Sequence, residues 1–323
     1  MADLGQITLT QMRYAVAVET TGNFREAAAR CHVSQSGLSM QLRKLEELLG
    51  VVLFDRSKKP LLVTADGAAA LAQMRAVLRE TERLGQVVVE GEEPAGPFRL
   101  GVIPTLSPTV LPLFLGRFAA AHPRVELVVE ELKTEEIIAR LRADTLDAGL
   151  AATPLRVAGL REEPLGRERM LAYLPPGDPL LRRRTVTQAA LRTRDLWIMA
   201  EGHCFRSQVL SYCGSEPHPH PSGIQFESGS FETLVRLVDE GLGATVLPEL
   251  VVDGLPAARR RRQVRPLVAP TPVREIGLVT ARSHLRRRVT DALAAEIRRG
   301  LGQALAPAAR SGLVLDPLAA SDA

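Results

Sequence analysis

The spacing of apolar positions divides the chain into two unlike parts. Over residues 7–90 apolar side chains recur at helical intervals, one helix after another. In the clearest of these, Leu38, Leu42, Leu45 and Leu49 fall at i, i+4, i+7 and i+11 and predict a single buried stripe. Ser34 stands where that helix needs its N-cap, and Gly50 where it must stop. Ahead of it, Asn23 caps a shorter helix in which Ala27, Ala28 and Ala29 let a neighbour approach closely. A break at His32–Val33 separates the two. Two further apolar runs flank the basic turn Arg56-Ser57-Lys58-Lys59-Pro60, and from Thr64 a long helix carries Ala68, Leu71, Ala72 and Leu78 on one side.

Beyond residue 97 the period changes. Short apolar runs at 98–103, 125–130, 170–174, 197–199, 243–247 and 276–279 alternate with helical patterns, which predicts βα units on a largely parallel sheet. Residues 91–97, GEEPAGP, have the composition of a linker, and the Ala- and Pro-rich stretch after Leu301 is expected to fray. The expected divisions are a head at 1–63, a linker helix and hinge at 64–97, an α/β body at 98–304 and a flexible tail at 305–323.

Composition narrows the class only a little. A chain of 323 residues with 46% hydrophobic residues can bury real cores, and at roughly 100–200 residues per domain it makes two or three domains. No run approaches the ~20 apolar residues of a membrane span. The N-terminal stretch lacks the basic and apolar regions of a secretory signal. Three cysteines suit a reducing cytosol and exclude a disulfide scaffold. A cytoplasmic location is expected. The net charge, 41 basic less 37 acidic or +4, neither demands nor opposes nucleic acid. The Arg runs at 182–184, 259–262 and 286–288 read as solvated loops and helix faces.

The head carries more information. Off the leucine stripe, Gln35, Ser36 and Ser39 are short hydrogen-bonding groups near a helix start, and Arg43 and Lys44 are cations further along. A helix-turn-helix needs that distribution, with polar groups reaching base edges and basic groups holding phosphates. The basic turn would then be a wing along the DNA backbone. Arg25, Ser34, Gln35, Ser36, Ser39, Arg43, Arg56 and Lys58 are the expected contacts. An ordinary helical hairpin with a basic loop has the same spacing and stays open as an alternative. The long helix after Thr64 is expected to pair with its twin, since two-fold symmetry doubles a groove-reading head; packing on its own head is the alternative.

In the body, Cys204 and Cys213 lie nine residues apart. If the segment is helical, they are separated by about 13.5 Å of rise on opposite faces. A disulfide needs Cα atoms within about 7 Å, so the pair can join only if the segment refolds. His203 and Arg206 flank Cys204, and nearby cations lower a thiol pKa, which makes Cys204 the expected reactive member. Peroxide would convert it to a sulfenic acid that Cys213 could resolve. Two small buried side chains that never meet remain an alternative. So does a zinc or copper site built from His203, Cys204, Cys213, His218 and His220, although neither C-x₂-C nor H-x₃-H spacing is present. Cys31, beside His32, reads as packing.

The run from Phe24 to Gly67, FREAAARCHVSQSGLSMQLRKLEELLGVVLFDRSKKPLLVTADG, resembles the head of the LysR-type transcriptional regulators. The order of head, linker helix and body is similar to about residue 300. The resemblance implies an all-α winged helix-turn-helix N-terminal domain and an α/β regulatory domain of two lobes, like a periplasmic binding protein, between which the chain crosses twice. EGHCFRSQVLSYC, residues 201–213, is similar to the redox segment of the family's peroxide-sensing activators. Similarity extends to Gly101–Thr105, where a hydroxyl ends a strand, to Lys133-Thr134, and to Val273–Val279. It implies that Cys204 is the peroxidatic and Cys213 the resolving cysteine. It also implies that Thr105, Thr134, His203 and Arg274 surround the peroxide and stabilise the leaving oxygen.

The implied partners are double-stranded promoter DNA, further copies of the chain as dimer or tetramer, RNA polymerase, and hydrogen peroxide as signal. No cofactor is implied, and thiol oxidation is a sensing step rather than turnover. The chain departs from the pattern at Ser207, where the family usually has an acid, at residues 214–223, and at Ser36-Gly37 in place of Pro-Thr. A regulator responding to a small organic effector between its lobes is the main rival.

Overall fold

The computed structural model describes residues 4–57, 61–89, 93–213, 228–281, 286–306 and 312–318. Two compact units divide at residue 90. The first begins with α1 (Leu9–Thr21), whose start is closed by a reciprocal capping box between Thr8 and Gln11. α2 (Phe24–Arg30) is capped by Asn23, whose side-chain oxygen accepts from the N–H groups of Arg25 and Glu26. α3 (Gln35–Leu49) starts at Ser34, whose hydroxyl accepts from Gly37 N at 3.1 Å. It ends at Gly50 in the left-handed region, φ 68°. Leu38, Leu42 and Leu45 are fully buried with Ala15, Val18 and Ala27, and Leu49 packs at the margin of that core.

β1 (Phe54–Asp55) and β2 (Leu62–Val63) pair antiparallel around the basic turn. α4 (Ala65–Val89) follows. Its first turns close onto the head: Leu71 and Met74 join the head core, and Arg75 pairs with Glu19. The first half of this helix therefore packs on its own head. Gly67 is required there, because a Cβ would lie 2.4 Å from the Leu53 carbonyl oxygen.

The body opens with β3 (Gly96–Val102), so the strand begins inside the expected linker. α5 (Ser107–Ala121), β4 (Val125–Glu131), α6 (Thr134–Arg142) and β5 (Ala148–Thr153) complete the start of the first lobe. β6 (Leu160–Tyr173) then runs into the second lobe. That lobe holds α7 (Gln188–Arg192), β7 (Leu196–Trp197), α8 (Cys204–Cys213), α9 (Phe231–Asp239) and β8 (Ala244–Pro248). α10 (Glu249–Asp253), α11 (Ala257–Gln263) and β9 (Val264–Pro266) follow. β10 (Pro272–Ala281) returns the chain to the first lobe, where α12 (Arg287–Ala304) packs, and β11 (Leu313–Val314) comes last.

The sheet order is β4-β3-β5-β10-β6-β8-β7, with β11 against β10 and β9 against β6. The expectation of a largely parallel sheet needs correcting. β3 is parallel to β4 and β5, and β7 to β8, but β10 is antiparallel to both β5 and β6, and β6 to β8 and β9. The reason is the two-lobed plan: the chain leaves on β6 and returns on β10, and adjacent outward and return strands run in opposite directions. Leu160 and Leu165 of β6 lie in the first core and Met170–Tyr173 in the second. Neither crossing reads as one continuous apolar run: Arg161, Glu162 and Glu163 occupy the start of β6, and Arg274 and Glu275 interrupt β10, although β10 is buried almost throughout.

The tail is the second correction. Leu313–Val314 pair in parallel with Pro272–Val273, and Leu315 is 5% exposed within the second core. The apolar triplet Leu313-Val314-Leu315 is short and set among Ala- and Pro-rich residues, so composition alone does not mark it as a strand. No helix among the described residues is long and apolar enough to cross a membrane.

Gly67→Ala is expected to destabilise the head by about 1–3 kcal/mol, the usual cost of forcing extra volume into a packed contact. A lower urea midpoint for head unfolding checks this; an unchanged midpoint contradicts the packing described.

Candidate functional site

α8 is one continuous helix with a cysteine at each end. Cys204 begins it, 7% exposed, in the first lobe's core; Cys213 ends it, 2% exposed, in the second's. Both thiols are free. Nine helical residues hold them about 13.5 Å apart along the axis, too far for a bond.

Arg274, third residue of β10, is fully buried and reaches this site. Its Nε and Nη2 donate to Glu168 Oε1 at 2.8 and 2.5 Å, and its Nη1 donates to the Thr105 hydroxyl at 3.0 Å. Nη2 also donates to the Thr105 carbonyl, and the guanidinium lies 5.3 Å from the centre of the Phe205 ring. The other Glu168 oxygen accepts from Leu250 N at 3.2 Å. Two charges so deeply buried persist because each completes the other's hydrogen bonding. Glu168 was not foreseen: it lies among the mixed polar residues of β6, where it reads as a surface position.

Thr134, first residue of α6, is 4% exposed, and its hydroxyl has no partner of ordinary hydrogen-bond geometry among the described residues. It nevertheless lies close enough to Cys204 to favour the thiolate. Burial dominates and raises the Cys204 pKa, opposed by Arg274, Thr134 and the helix-start N–H groups of Phe205 and Cys204. Cys213 is pushed up to about 11 by burial, with Arg192 opposing. Neither His203 nor Arg206 is among the groups that shift the Cys204 thiol. Burial, with Lys133 nearby, lowers the His203 pKa and so favours the neutral ring. Arg206 donates to Met199 O at 3.3 Å. The cation acting on Cys204 is the distant-in-sequence Arg274.

Thr134, His203 and Cys204 line a cleft of about 340 Å³ together with Gly202, Ser207 and Leu318. Thr105 lies behind it on Arg274 and also faces a larger cleft between the lobes. Of the expected pocket residues, Thr134 and His203 share the Cys204 cleft; Arg274 acts on the thiol without lining that cleft, and Thr105 is joined to it only through Arg274. Among the described residues no three His, Cys, Asp or Glu side chains converge as metal ligands. His218, His220 and the departing loop at 214–223 lie outside the described residues.

In the head, Arg25, Gln35, Ser36 and Arg43 are exposed, and Ser39 is half-buried. The Ser34 hydroxyl is occupied as a cap. Arg56, expected on phosphate, is exposed, pairs with Glu46 at 2.6 Å and lies over the Phe24 ring at 5.2 Å. Lys58 lies outside the described residues. Cys31 packs half-buried against the head core.

The chain belongs to the LysR family. Residues 9–68 match the bacterial regulatory helix-turn-helix protein of the lysR family, and residues 91–302 match the LysR substrate binding domain. Its relatives include the DNA-binding transcriptional dual regulator OxyR of Escherichia coli, 35% identical over 298 residues, which cover 90% of this chain and 95% of that one. A probable hydrogen peroxide-inducible genes activator of Mycobacterium avium is 38% identical over 281 residues, 85% of this chain and 88% of that one. A full-length OxyR from Pseudomonas aeruginosa with one cysteine replaced superposes with a TM-score of 0.73 at 34% identity, covering 94% of this chain and 100% of that one. A cysteine variant of Corynebacterium glutamicum OxyR, described as bound to hydrogen peroxide, gives 0.60 at 28% identity, covering 96% and 97%.

Glu168→Gln is expected to cost about 3–5 kcal/mol of stability, because it leaves the Arg274 charge buried without its counter-ion. Urea unfolding of the reduced protein measures it, and a loss below about 1 kcal/mol would contradict a dry ion pair. His203, with its pKa held below the ordinary 6.5, takes up a proton less readily folded than unfolded. Stability should therefore fall as pH drops below 6.5, and His203→Gln should flatten that fall in a urea-midpoint series across the range.

Proposed function

We propose that this protein is a transcription regulator switched by hydrogen peroxide through a reversible Cys204–Cys213 disulfide. The observation that carries the reading is the placement of two free, buried thiols at opposite ends of one helix, with Arg274 and the unpartnered Thr134 hydroxyl beside the first. The Cys204 thiolate attacks one peroxide oxygen; the O–O bond breaks, and the departing hydroxide takes up a proton to leave as water. Thr134 donates toward the reacting oxygens, and Arg274 stabilises negative charge as it moves from sulfur to the leaving oxygen. The peroxide supplies the oxidising equivalents, and Cys204 is left as a sulfenic acid.

Burial keeps the resting thiol protonated and reserves ionisation for a bound, polar reactant. Cys213 then attacks the Cys204 sulfur, which requires α8 to unwind. Unwinding draws residues out of both lobe cores, which gives a local bond a means of altering how copies of the chain associate on promoter DNA. Arg25, Gln35, Ser36, Ser39, Arg43 and Arg56 are the described side chains we assign to DNA, in a cytoplasmic homo-oligomer that engages RNA polymerase.

A second reading is favoured by the cleft of about 640 Å³ between the lobes, lined by Thr105, Glu131, Ser230, Arg236 and Arg259. Its size and charge suit a small organic effector. The two readings separate in one experiment on the full-length protein: sub-stoichiometric peroxide, mass mapping of unreduced peptides, and promoter footprints before and after. We expect a Cys204–Cys213 peptide and a shifted footprint, both lost in Cys204→Ser. Free thiols and an unchanged footprint after peroxide, with induction retained by a Cys204→Ser/Cys213→Ser protein, would favour the effector.

A further inference from the structure

The C-terminal segment 312–318 lies along the helix that carries both cysteines. It is held from the β10 side by Leu313 N to Thr271 O at 2.8 Å and Leu315 N to Val273 O at 3.1 Å. The fit is close: a Cβ on Gly312 would lie 2.2 Å from Val273 Cγ1. Its β11 register ends at Val273, one residue before Arg274. On the α8 side, the Gln208 amide Nε2 donates to Leu315 O at 2.9 Å, a contact buried from solvent. Gln208 is fully buried and its Oε1 has no partner among the described residues. At one end of α8 the segment faces Ser211 and Tyr212; at the other, Pro317 and Leu318 form a wall of the Cys204 cleft. Asp316 secures the turn between them by accepting from Leu318 N at 2.8 Å.

Gln208 lies between the two cysteines, on the stretch that must unwind for them to meet. A contact that fixes its side chain opposes that unwinding. We propose that residues 312–318 are a latch on the redox helix: they hold α8 helical in the reduced protein and set the rate at which the disulfide closes. The latch rests on the proposed redox reading for its role, though its hold on α8 can be read without it. In the closing step the Cys213 sulfur attacks the Cys204 sulfenic acid sulfur, an S–S bond forms, and the S–O bond breaks. Hydroxide leaves with the Cys213 proton as water, and no further oxidant is consumed. Gln208 must let go of Leu315 before that geometry is reachable. A buried hydrogen bond of this kind is worth a rate factor of about five if it is intact beforehand and broken at the barrier.

The test uses full-length protein, a chain ended after Ser311, and Gln208→Met, which keeps the side chain's length without its amide. Hydrogen exchange of the α8 amides in the reduced state reads the latch directly. Stopped-flow peroxide addition, with sulfenic acid trapping, separates thiol oxidation from disulfide closure. We expect faster α8 exchange in both variants, closure about fivefold faster, and no further gain when the two changes are combined, since both sever one contact. Parental exchange in both variants, with circular dichroism unchanged, overturns the latch; so does parental closure in a variant whose exchange has risen. If the parent forms no Cys204–Cys213 bond while the variants exchange faster, the hold on α8 stands and the redox reading alone fails.

Discussion

The constraint on which the site depends is the rigidity of a ten-residue helix whose two ends are buried in different cores. An α-helix fixes the separation of its residues, and α8 fixes its cysteines beyond bonding distance. Buried ends make that separation expensive to change, because unwinding removes side chains from two packed interiors at once. The two-lobed plan creates the situation. β6 and β10 carry the chain out and back, α8 lies where the lobes meet, and its first and last residues become structural members of both. A change confined to α8 is therefore felt in both lobes.

Around Cys204 the same burial works in two directions. It raises the thiol's pKa, and on the proposed reading it strengthens the electrostatic contacts that an entering peroxide would make. Arg274 supplies the fixed positive charge, and Glu168 allows so buried a guanidinium to exist and orients it. Thr105 takes a third donor from Arg274, leaving the guanidinium little freedom to turn. Thr134 is different: its buried hydroxyl has no partner of ordinary hydrogen-bond geometry among the described residues, yet it acts on the Cys204 thiol.

Much of the head was legible because its signals are local. The Leu38–Leu42–Leu45 stripe and the caps at Asn23, Ser34 and Gly50 appear in the structure where the sequence places them. The body was legible in its cores and not in its crossings. β6 enters through Arg161–Glu163, so its apolar pattern marked only the far end and hid its length and direction. In the site, sequence adjacency misled: Arg206 is two residues from Cys204, and on a helix such neighbours face different ways. Arg274, seventy positions on, is the cation that acts. The resemblance of short segments brought Thr105, Thr134 and Arg274 into view, but Glu168 and Gln208 carry no local signature. Each is polar in sequence and buried only because a distant partner, Arg274 or Leu315, meets it in the fold.

The central claim is that bond formation and loss of the helix are one event. Amide hydrogen exchange across residues 204–213, followed during oxidation by sub-stoichiometric peroxide and again after reduction, tests it most directly. The account predicts that protection of α8 disappears in step with Cys204–Cys213 bond formation and returns when the bond is reduced. A disulfide formed while the α8 amides keep their full protection would contradict it.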